Sequence, residues 1–252
     1  MAFNRIALLT LLFIGLFSSA CFSKKKPSPA VTANTGFAVV ELFTSEGCSS
    51  CPAAEAVLSE VRDEYKQDVY VMEFHVDYWN NIGWKDVFSS SAYTARQQQY
   101  VQQFHLGSAY TPQAVVNGRN ELVGSDRGKL HGFINSALQK KPANMLTLSA
   151  KQNGGKISVT YSAANANGQM INIALVQKDA ETNVKRGENS GRKLKHINVV
   201  RAFTTSRTAS TATINIDIPA GLSAADCTII AYTQQEHSLE ITGASQAQIS
   251  KG

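Results

Sequence analysis

The sequence lacks the main features of nucleic-acid-binding proteins. Its formal net charge of +5 is modest and spread along 252 residues, and no helix-length basic run carries interleaved aromatic residues. Nucleic-acid-binding proteins concentrate such charge on one face, so we expect no nucleic-acid partner. Charged residues make up only 17% of the chain and hydrophobic residues 43%, which predicts a packed globular protein rather than a disordered one.

An apolar run near the N-terminus, residues 6–17, is too short to span a bilayer comfortably. It follows Arg5 and precedes the small residues 18–20, which is the pattern of an export signal. We therefore predict that residues 1–20 are a signal peptide. The mature protein is expected to be exported, either as a periplasmic protein or as a lipoprotein anchored in the outer membrane.

Cys21 directly follows the predicted signal peptide, at the position where bacterial lipoproteins carry their lipid. Two interpretations stay open, because Ser18 and Ala20 also suit ordinary cleavage at the same bond. In the first, a lipid on Cys21 makes the membrane a partner of this protein. Residues 21–36 are mostly polar and contain two prolines, which predicts a flexible tether.

Cysteine is scarce, and the positions of the four cysteines carry information. Disulfides persist outside the cytoplasm, so Cys48 and Cys51, at C-x-x-C spacing, are candidates for a redox-active, a structural or a metal-binding pair. Cys227 stands alone in an apolar segment and is expected to be a buried, inert thiol.

The C-x-x-C pair falls between an apolar strand, residues 37–43, and a segment with apolar residues at helical spacing. Pro52 suits the first turn of a helix. Free N–H groups and the helix dipole at such a position favour a thiolate. We predict that Cys48 is the exposed nucleophile and Cys51 the buried resolving thiol; a closed structural disulfide is the alternative.

Further elements follow the C-x-x-C helix. The pattern predicts a strand at 69–76, a helix from about 85 to 104, strands at 113–116 and 121–123 joined by Asn117-Gly118, and a helix that starts near Ser125 or Asp126. From about residue 144 onward, apolar residues alternate with polar ones in short runs, which indicates an antiparallel sheet or sandwich.

Four stretches of the sequence resemble a family of secreted bacterial proteins known only as a domain of unknown function. They are ELFTSEGCSSCPAAE, HVDYWNNIGWKD, YTPQAVVNG and RGENSGRKLKHINVVR. The order of predicted elements is also similar to that of thioredoxins. The resemblance implies an α/β thioredoxin-like domain at residues 37–141, and a β-rich C-terminal region follows at 142–252.

The same resemblance implies roles for further residues. Pro112 matches the thioredoxin cis-proline, and Thr111 before it is expected to face the thiols and pair with a bound polypeptide. Glu41, inside an apolar strand, resembles the buried acid that moves protons to the resolving cysteine, although its spacing is one residue longer; an edge or partly exposed acid is the alternative. Trp79 and Trp84 form either a peptide-binding surface or part of the core.

Three functions follow from these patterns. The first is a thiol–disulfide oxidoreductase that uses Cys48 and Cys51 on exported protein thiols or disulfides, with no cofactor and no metal. The second is a non-catalytic surface lipoprotein that keeps a structural disulfide and binds a partner. The third is a Cu(I)-binding protein that adds His75 or His105 to the two thiolates. A charged loop, residues 186–192, is either a recognition element or a solvated hairpin.

Overall fold

The computed structural model describes residues 36–252, which belong to one compact unit. The predicted signal peptide, the predicted lipidation site Cys21 and nearly all of the predicted tether lie outside the described residues. Within the described range, no helix is long and apolar enough to cross a membrane.

The described residues form strands β1 to β11, helices α1 to α3 and one short 3₁₀ helix. In chain order they are β1 (Ala38–Thr44), α1 (Cys51–Tyr65), β2 (Val69–His75), α2 (Ser91–Gln103), β3 (Gln113–Val116), β4 (Asn120–Val123), α3 (Arg127–Leu138), β5 (Met145–Asn153), β6 (Lys156–Ala164), β7 (Met170–Asn183), β8 (Lys193–Arg207), β9 (Thr211–Asp217), the 3₁₀ helix (Ala224–Asp226), β10 (Cys227–Gln234) and β11 (Ile241–Ser250).

All eleven strands lie in one mixed sheet with the order β4-β3-β1-β2-β8-β7-β10-β11-β5-β6-β9. Strand β1 pairs in parallel with β2 and antiparallel with β3. On its other side β2 pairs in parallel with β8, where Glu73 lies opposite Val199. The strands of the C-terminal half therefore continue the sheet that β1 to β4 begin.

The predicted fold class, a thioredoxin-like α/β fold followed by a β-rich region, is wrong. Residues 36–252 form mostly one large mixed sheet with three α-helices. The alternating residues of the C-terminal half do form strands, but alternation defines the two faces of a strand and not its neighbours. The pairing of β8 with β2 therefore has no signature in either strand taken alone.

The helices near the N-terminal strands lie on opposite faces of the sheet. Alternate residues of β1, such as Val40 and Leu42, share a core with α1 and α3. The residues between them, such as Val39 and Phe43, share a different core with α2 and with the C-terminal strands. A residue's place in β1 therefore decides whether it faces α1, which carries Cys51, or the opposite side.

Helix α2 starts at Ser91, later than the predicted start near residue 85. The reason is Asp86, whose carboxylate accepts hydrogen bonds from the backbone N–H of Phe88 and of Glu46, each over 2.8 Å. These bonds hold residues 77–90 as a loop against the C-x-x-C segment. By contrast, the predicted start of α3 is confirmed, because Asp126 caps that helix.

Glu41 lies on the α2 side of β1 and is 0% exposed. Its carboxylate forms an ion pair with Arg96 of α2, with a 2.6 Å bond to Nε, and accepts from the hydroxyl of Tyr232 over 2.6 Å. Tyr100 also donates to it. A buried charge is tolerated only when it is paired in this way, so the ion pair fixes α2 to the sheet.

We expect Glu41→Gln to destabilise the protein by about 3–5 kcal/mol, because it leaves the Arg96 guanidinium buried without a counter-charge. Denaturant unfolding measures the change. The matched control is Glu60→Gln, which breaks an ion pair with Arg127 in which both side chains are more than half exposed; its cost should be about 0–1 kcal/mol. Equal costs for the two variants would contradict this role of Glu41.

Candidate functional site

Cys48 and Cys51 lie at the start of α1, as predicted. Cys51 is the first residue of the helix, and Cys48 lies in the preceding turn, where its backbone N–H donates to the carbonyl of Ser45 over 3.1 Å. Both side chains are free thiols. Cys48 is 1% exposed and Cys51 0%, so the prediction that Cys48 is exposed is wrong. The neighbouring Ser49 and Ser50 are exposed.

The two thiols differ in acidity. Hydrogen bonding by Cys51 is the largest effect on Cys48, and together with Ser50 and Thr111 it lowers the pKa of Cys48 to about 6, although burial acts in the opposite direction. Burial, followed by the neighbouring Cys48, raises the pKa of Cys51 well above the ordinary thiol range. At neutral pH the pair therefore carries one thiolate, centred on Cys48, and one proton, centred on Cys51.

The loop before β3 contacts the dithiol. The Thr111–Pro112 peptide bond is cis, as predicted. The Cys48 thiol group lies 3.8 Å from the carbonyl oxygen of Thr111. The indole N–H of Trp79 donates to the hydroxyl of Thr111 over 2.9 Å and so holds this loop in place. The structure thus brings Thr111, Pro112 and Trp79 together beside Cys48.

Trp84 binds the residue two positions before Cys48. Its indole N–H donates to a carboxylate oxygen of Glu46 over 2.6 Å. Trp79 also packs directly against the segment. A Cβ atom added at Gly47 would lie only 3.0 Å from the Cβ of Trp79. Both tryptophans are half-buried and hold the loops around the dithiol.

The structure does not join Glu41 to the cysteines. Among the described residues, its hydrogen bonds go to Arg96, Tyr100 and Tyr232, on the face of β1 opposite α1. The sequence correctly singled out Glu41 as a buried acid. The face of the sheet to which its side chain points, however, depends on how β1 packs against the helices. The carboxylate on the α1 side is Glu55, and it accepts from the hydroxyl of Thr44 over 2.5 Å.

Residues 184–192, which we call the docked loop, pack against the C-x-x-C segment. The amide of Asn189 donates to the carbonyls of Glu46 and Cys48, each over 2.9 Å, and Asn189 is 0% exposed. The carboxylate of Glu188 accepts from the backbone N–H of Ser49 over 3.0 Å. Residues 185–188 and 190–192 are exposed, but Asn189 anchors the loop, so the C-terminal half of the chain helps to fix the conformation of the dithiol segment.

Four ionisable side chains, Glu55, Glu73, His75 and His196, meet beneath α1. We call them the buried cluster: one ligand atom from each lies within 4.8 Å of every other, and all four are buried. His75 Nδ1 donates to Asp86 over 2.7 Å, and His196 Nδ1 lies 3.1 Å from Glu55. These are residue types that hold metal ions.

The buried cluster is connected to the dithiol through Thr44. The Thr44 hydroxyl donates to Glu55, and hydrogen bonding with Thr44 is among the effects that act on the Cys51 thiol. Cys51 and Glu55 also lie four residues apart on α1, which places them on the same face of the helix. Thr44 therefore lies between the Cys51 thiol and an ionisable carboxylate, that of Glu55.

The sequence analysis missed most of these residues. It assigned no individual role to Glu46, Glu55, Glu73, Asp86 or His196. Two signals were present. All but Glu73 lie within the stretches that carried the family resemblance. Glu73, like Glu41, interrupts an apolar strand, where burial of a charged side chain costs free energy.

The other predicted features are separate from the dithiol. His105 lines a cleft of about 560 Å³ together with Arg96 and Gln234, and no cysteine lines it. His75 points into the buried cluster and makes no described hydrogen bond to either thiol. Cys227 is 1% exposed, and burial raises its pKa to about 11, as expected for an inert thiol.

Solved structures with a similar fold exist, and their functions do not transfer to this chain. A protein from Agrobacterium tumefaciens with a crystal structure shares 27% sequence identity with this chain. The alignment covers 83% of this chain and 92% of that chain, with a TM-score of 0.64. The protein HBP35 of Porphyromonas gingivalis is 17% identical, covers 86% of this chain and 76% of that chain, and has a TM-score of 0.57, which shows a shared fold alone. No curated protein matches the chain significantly.

The family match covers most of the described chain. Residues 39–234 match the family described as a protein of unknown function, DUF1223. This match includes the dithiol, the loop before β3, the docked loop and the buried cluster. It confirms the resemblance to a family of unknown function and gives no support to the thioredoxin part of it. The chain belongs to the DUF1223 family.

Proposed function

We propose that this protein is a thiol–disulfide oxidoreductase in which Cys48 is the nucleophile and Cys51 the resolving thiol. The observation that carries the proposal is the opposite shift of the two thiol pKa values, with Cys48 at about 6 and Cys51 far above the ordinary range. A closed structural disulfide needs no such difference. A dithiol that exchanges with a substrate needs one thiolate ready to attack and one thiol held in reserve.

The reaction consists of two exchanges. The Cys48 thiolate attacks one sulfur of a substrate disulfide, forms a mixed disulfide and releases the other substrate sulfur as a thiolate. Cys51 then loses its proton, attacks the Cys48 sulfur and releases the second substrate thiolate, which leaves a Cys48–Cys51 disulfide. The substrate gains two electrons, and the enzyme loses two; the reverse sequence oxidises a substrate dithiol.

Two neighbouring groups support this chemistry. Thr44 and Glu55 offer a path by which the proton of Cys51 can leave during the second exchange. The half-buried Thr111 lies beside Cys48, where its backbone can pair with an extended polypeptide. Because Cys48 is 1% exposed, a substrate reaches it when the docked loop or the Thr111 loop moves aside.

The proposal places the protein outside the cytoplasm. Residues 1–20 have the pattern of an export signal, and Cys21 suits lipid attachment. The expected partners are exported proteins with exchangeable thiols or disulfides, since disulfides persist in that compartment. An anchored protein would act on them at the outer membrane.

The acidity of Cys48 gives the first test. The rate of alkylation of Cys48 by iodoacetamide should rise with pH to a midpoint at about 6, against about 8.5 for an ordinary thiol. Cys51→Ala removes the strongest hydrogen-bond donor to Cys48 and should raise the midpoint. Cys51→Ser keeps an O–H donor and should change it less. Mass spectrometry of the labelled peptides measures each rate.

Cys227 is the internal control for this titration, because its pKa of about 11 should leave it unlabelled over the same range. A midpoint for Cys48 near 8.5 in the wild type, or equal midpoints in the Ala and Ser variants, would contradict the proposed activation by Cys51.

The second test captures the partners. In Cys51→Ser the mixed disulfide cannot be resolved, so adducts with exported proteins should accumulate and be visible by non-reducing electrophoresis and mass spectrometry. Cys48→Ser should form none.

Wild-type Cys21 should keep the adducts in the membrane fraction, and Cys21→Ala should release them. Absence of adducts would favour the non-catalytic binding module, and adducts with cytosolic proteins alone would refute export.

A further inference from the structure

The buried cluster contains polar atoms whose hydrogen-bonding capacity is unused. Among the described residues, Nε2 of His75, Nε2 of His196 and one carboxylate oxygen of Glu73 are buried without a hydrogen-bond partner. His75 and Glu73 are both 0% exposed. Buried polar atoms left unpaired in this way cost free energy, so Nε2 of His75 and Oε1 of Glu73 call for a missing partner, whereas Nε2 of His196 faces a carboxylate oxygen of Glu46 3.5 Å away.

The ligand atoms of the buried cluster lie close to one another. Nε2 of His75 lies 3.8 Å from Oε2 of Glu73, and the same oxygen lies 3.8 Å from Nδ1 of His196. Nδ1 of His196 is in turn 3.1 Å from Oε2 of Glu55. In a tetrahedral zinc site with metal–ligand bonds of about 2.0–2.1 Å, neighbouring ligand atoms lie about 3.3 Å apart. The four donors lie within 4.8 Å of one another, so they must move closer together to hold an ion.

The histidines are oriented as metal-binding histidines are. The other ring nitrogen of His75, Nδ1, donates to the carboxylate of Asp86 over 2.7 Å. The other ring nitrogen of His196, Nε2, lies 3.5 Å from a carboxylate oxygen of Glu46 that has no hydrogen-bond partner. A carboxylate behind each imidazole fixes the ring and increases its strength as a ligand.

We propose that Glu55, Glu73, His75 and His196 form a binding site for one divalent first-row transition-metal ion such as zinc. Two imidazoles and two carboxylates suit zinc, iron or manganese better than Cu(I), which prefers sulfur. Two carboxylates balance the charge of the ion, and the protons on the two ligating nitrogens leave when it binds. Four protein donors complete a tetrahedral shell, as in structural zinc sites.

An ion has a route to this site. Glu55 and His196 line an open cleft of about 630 Å³ between α1 and the N-terminal end of β8, whose other walls include Pro52, Arg192 and Lys193. No cysteine belongs to the site, although Thr44 links it to the dithiol. The inference therefore does not rest on the oxidoreductase proposal, and the sequence-based expectation of no metal considered only the cysteines with His75 and His105.

Zinc and cobalt titrations test the site. The full-length mature protein, freed of metal by a chelator, should bind one equivalent of Zn²⁺ by calorimetry. Because Cys48 and Cys51 can also bind zinc, the same measurement is made on Cys48→Ser/Cys51→Ser, which should still bind one equivalent. Bound Co²⁺ in this variant should show d–d absorption without thiolate-to-cobalt charge transfer.

Substitutions in the buried cluster should weaken this binding. His75→Gln and His196→Gln each remove one ligand and should lower the zinc affinity at least about 10-fold, and Asp86→Asn, which removes only the carboxylate behind His75, should lower it about 10–100-fold. The matched control is His237→Gln, at an exposed histidine, which should bind zinc like the wild type. Thermal unfolding with and without zinc checks that each variant is folded.

Two results would overturn the site: loss of zinc binding in Cys48→Ser/Cys51→Ser, or unchanged affinity in folded His75→Gln and His196→Gln. If the histidine variants do not fold, X-ray absorption of the zinc-loaded cysteine-free protein decides instead. Imidazole scattering with nitrogen and oxygen at about 2.0–2.1 Å supports the site. A spectrum without imidazole contradicts it.

Discussion

The structure depends on how ionisable side chains are kept buried beneath the start of α1. Glu73 and His75 of β2 are 0% exposed, and Glu55 of α1 and His196 of β8 are 4% and 1% exposed. Burying charge is costly unless partners compensate for it, so these four groups must lie together. Helix α1 and strands β2 and β8 supply them, and the parallel pairing of β2 with β8 brings the last one into place. This pairing joins the two halves of the chain into one sheet.

The dithiol benefits from the same arrangement. The C-x-x-C segment is held by the docked loop through Asn189, and the loop that carries Asp86 holds it through the N–H of Glu46. The loop that carries Asp86 therefore supports both the buried cluster, through His75, and the dithiol segment. Thr44 connects the two, since it lies between the resolving thiol and Glu55. The low pKa of Cys48 and the high pKa of Cys51 thus arise in a site to which both halves of the chain contribute residues.

Local features were predicted well from the sequence, and long-range ones were not. The helix at Cys51 and the cap at Asp126 follow from patterns of a few residues, and the cis bond before Pro112 was expected from the resemblance to thioredoxins. The pairing of β2 with β8 could not be predicted, because the alternation of apolar and polar residues in β8 is compatible with many partner strands. Glu41 shows the same limit. The sequence indicated a buried acid, but the side of the sheet to which its side chain points depends on which face of β1 packs against α1. The partners of His196 became visible only when β8 was placed beside β2.

The central claim is that Cys48 and Cys51 form a redox-active pair, and its most direct test is the equilibrium reduction potential of their disulfide. A hydrogen-bonded thiolate at Cys48 stabilises the reduced form, which makes the disulfide easier to reduce. Equilibration with glutathione buffers, read by mass spectrometry of the two cysteines, should give a value within the range of dithiol oxidoreductases, about −270 to −120 mV. A potential far below about −300 mV would identify a structural disulfide and contradict the account.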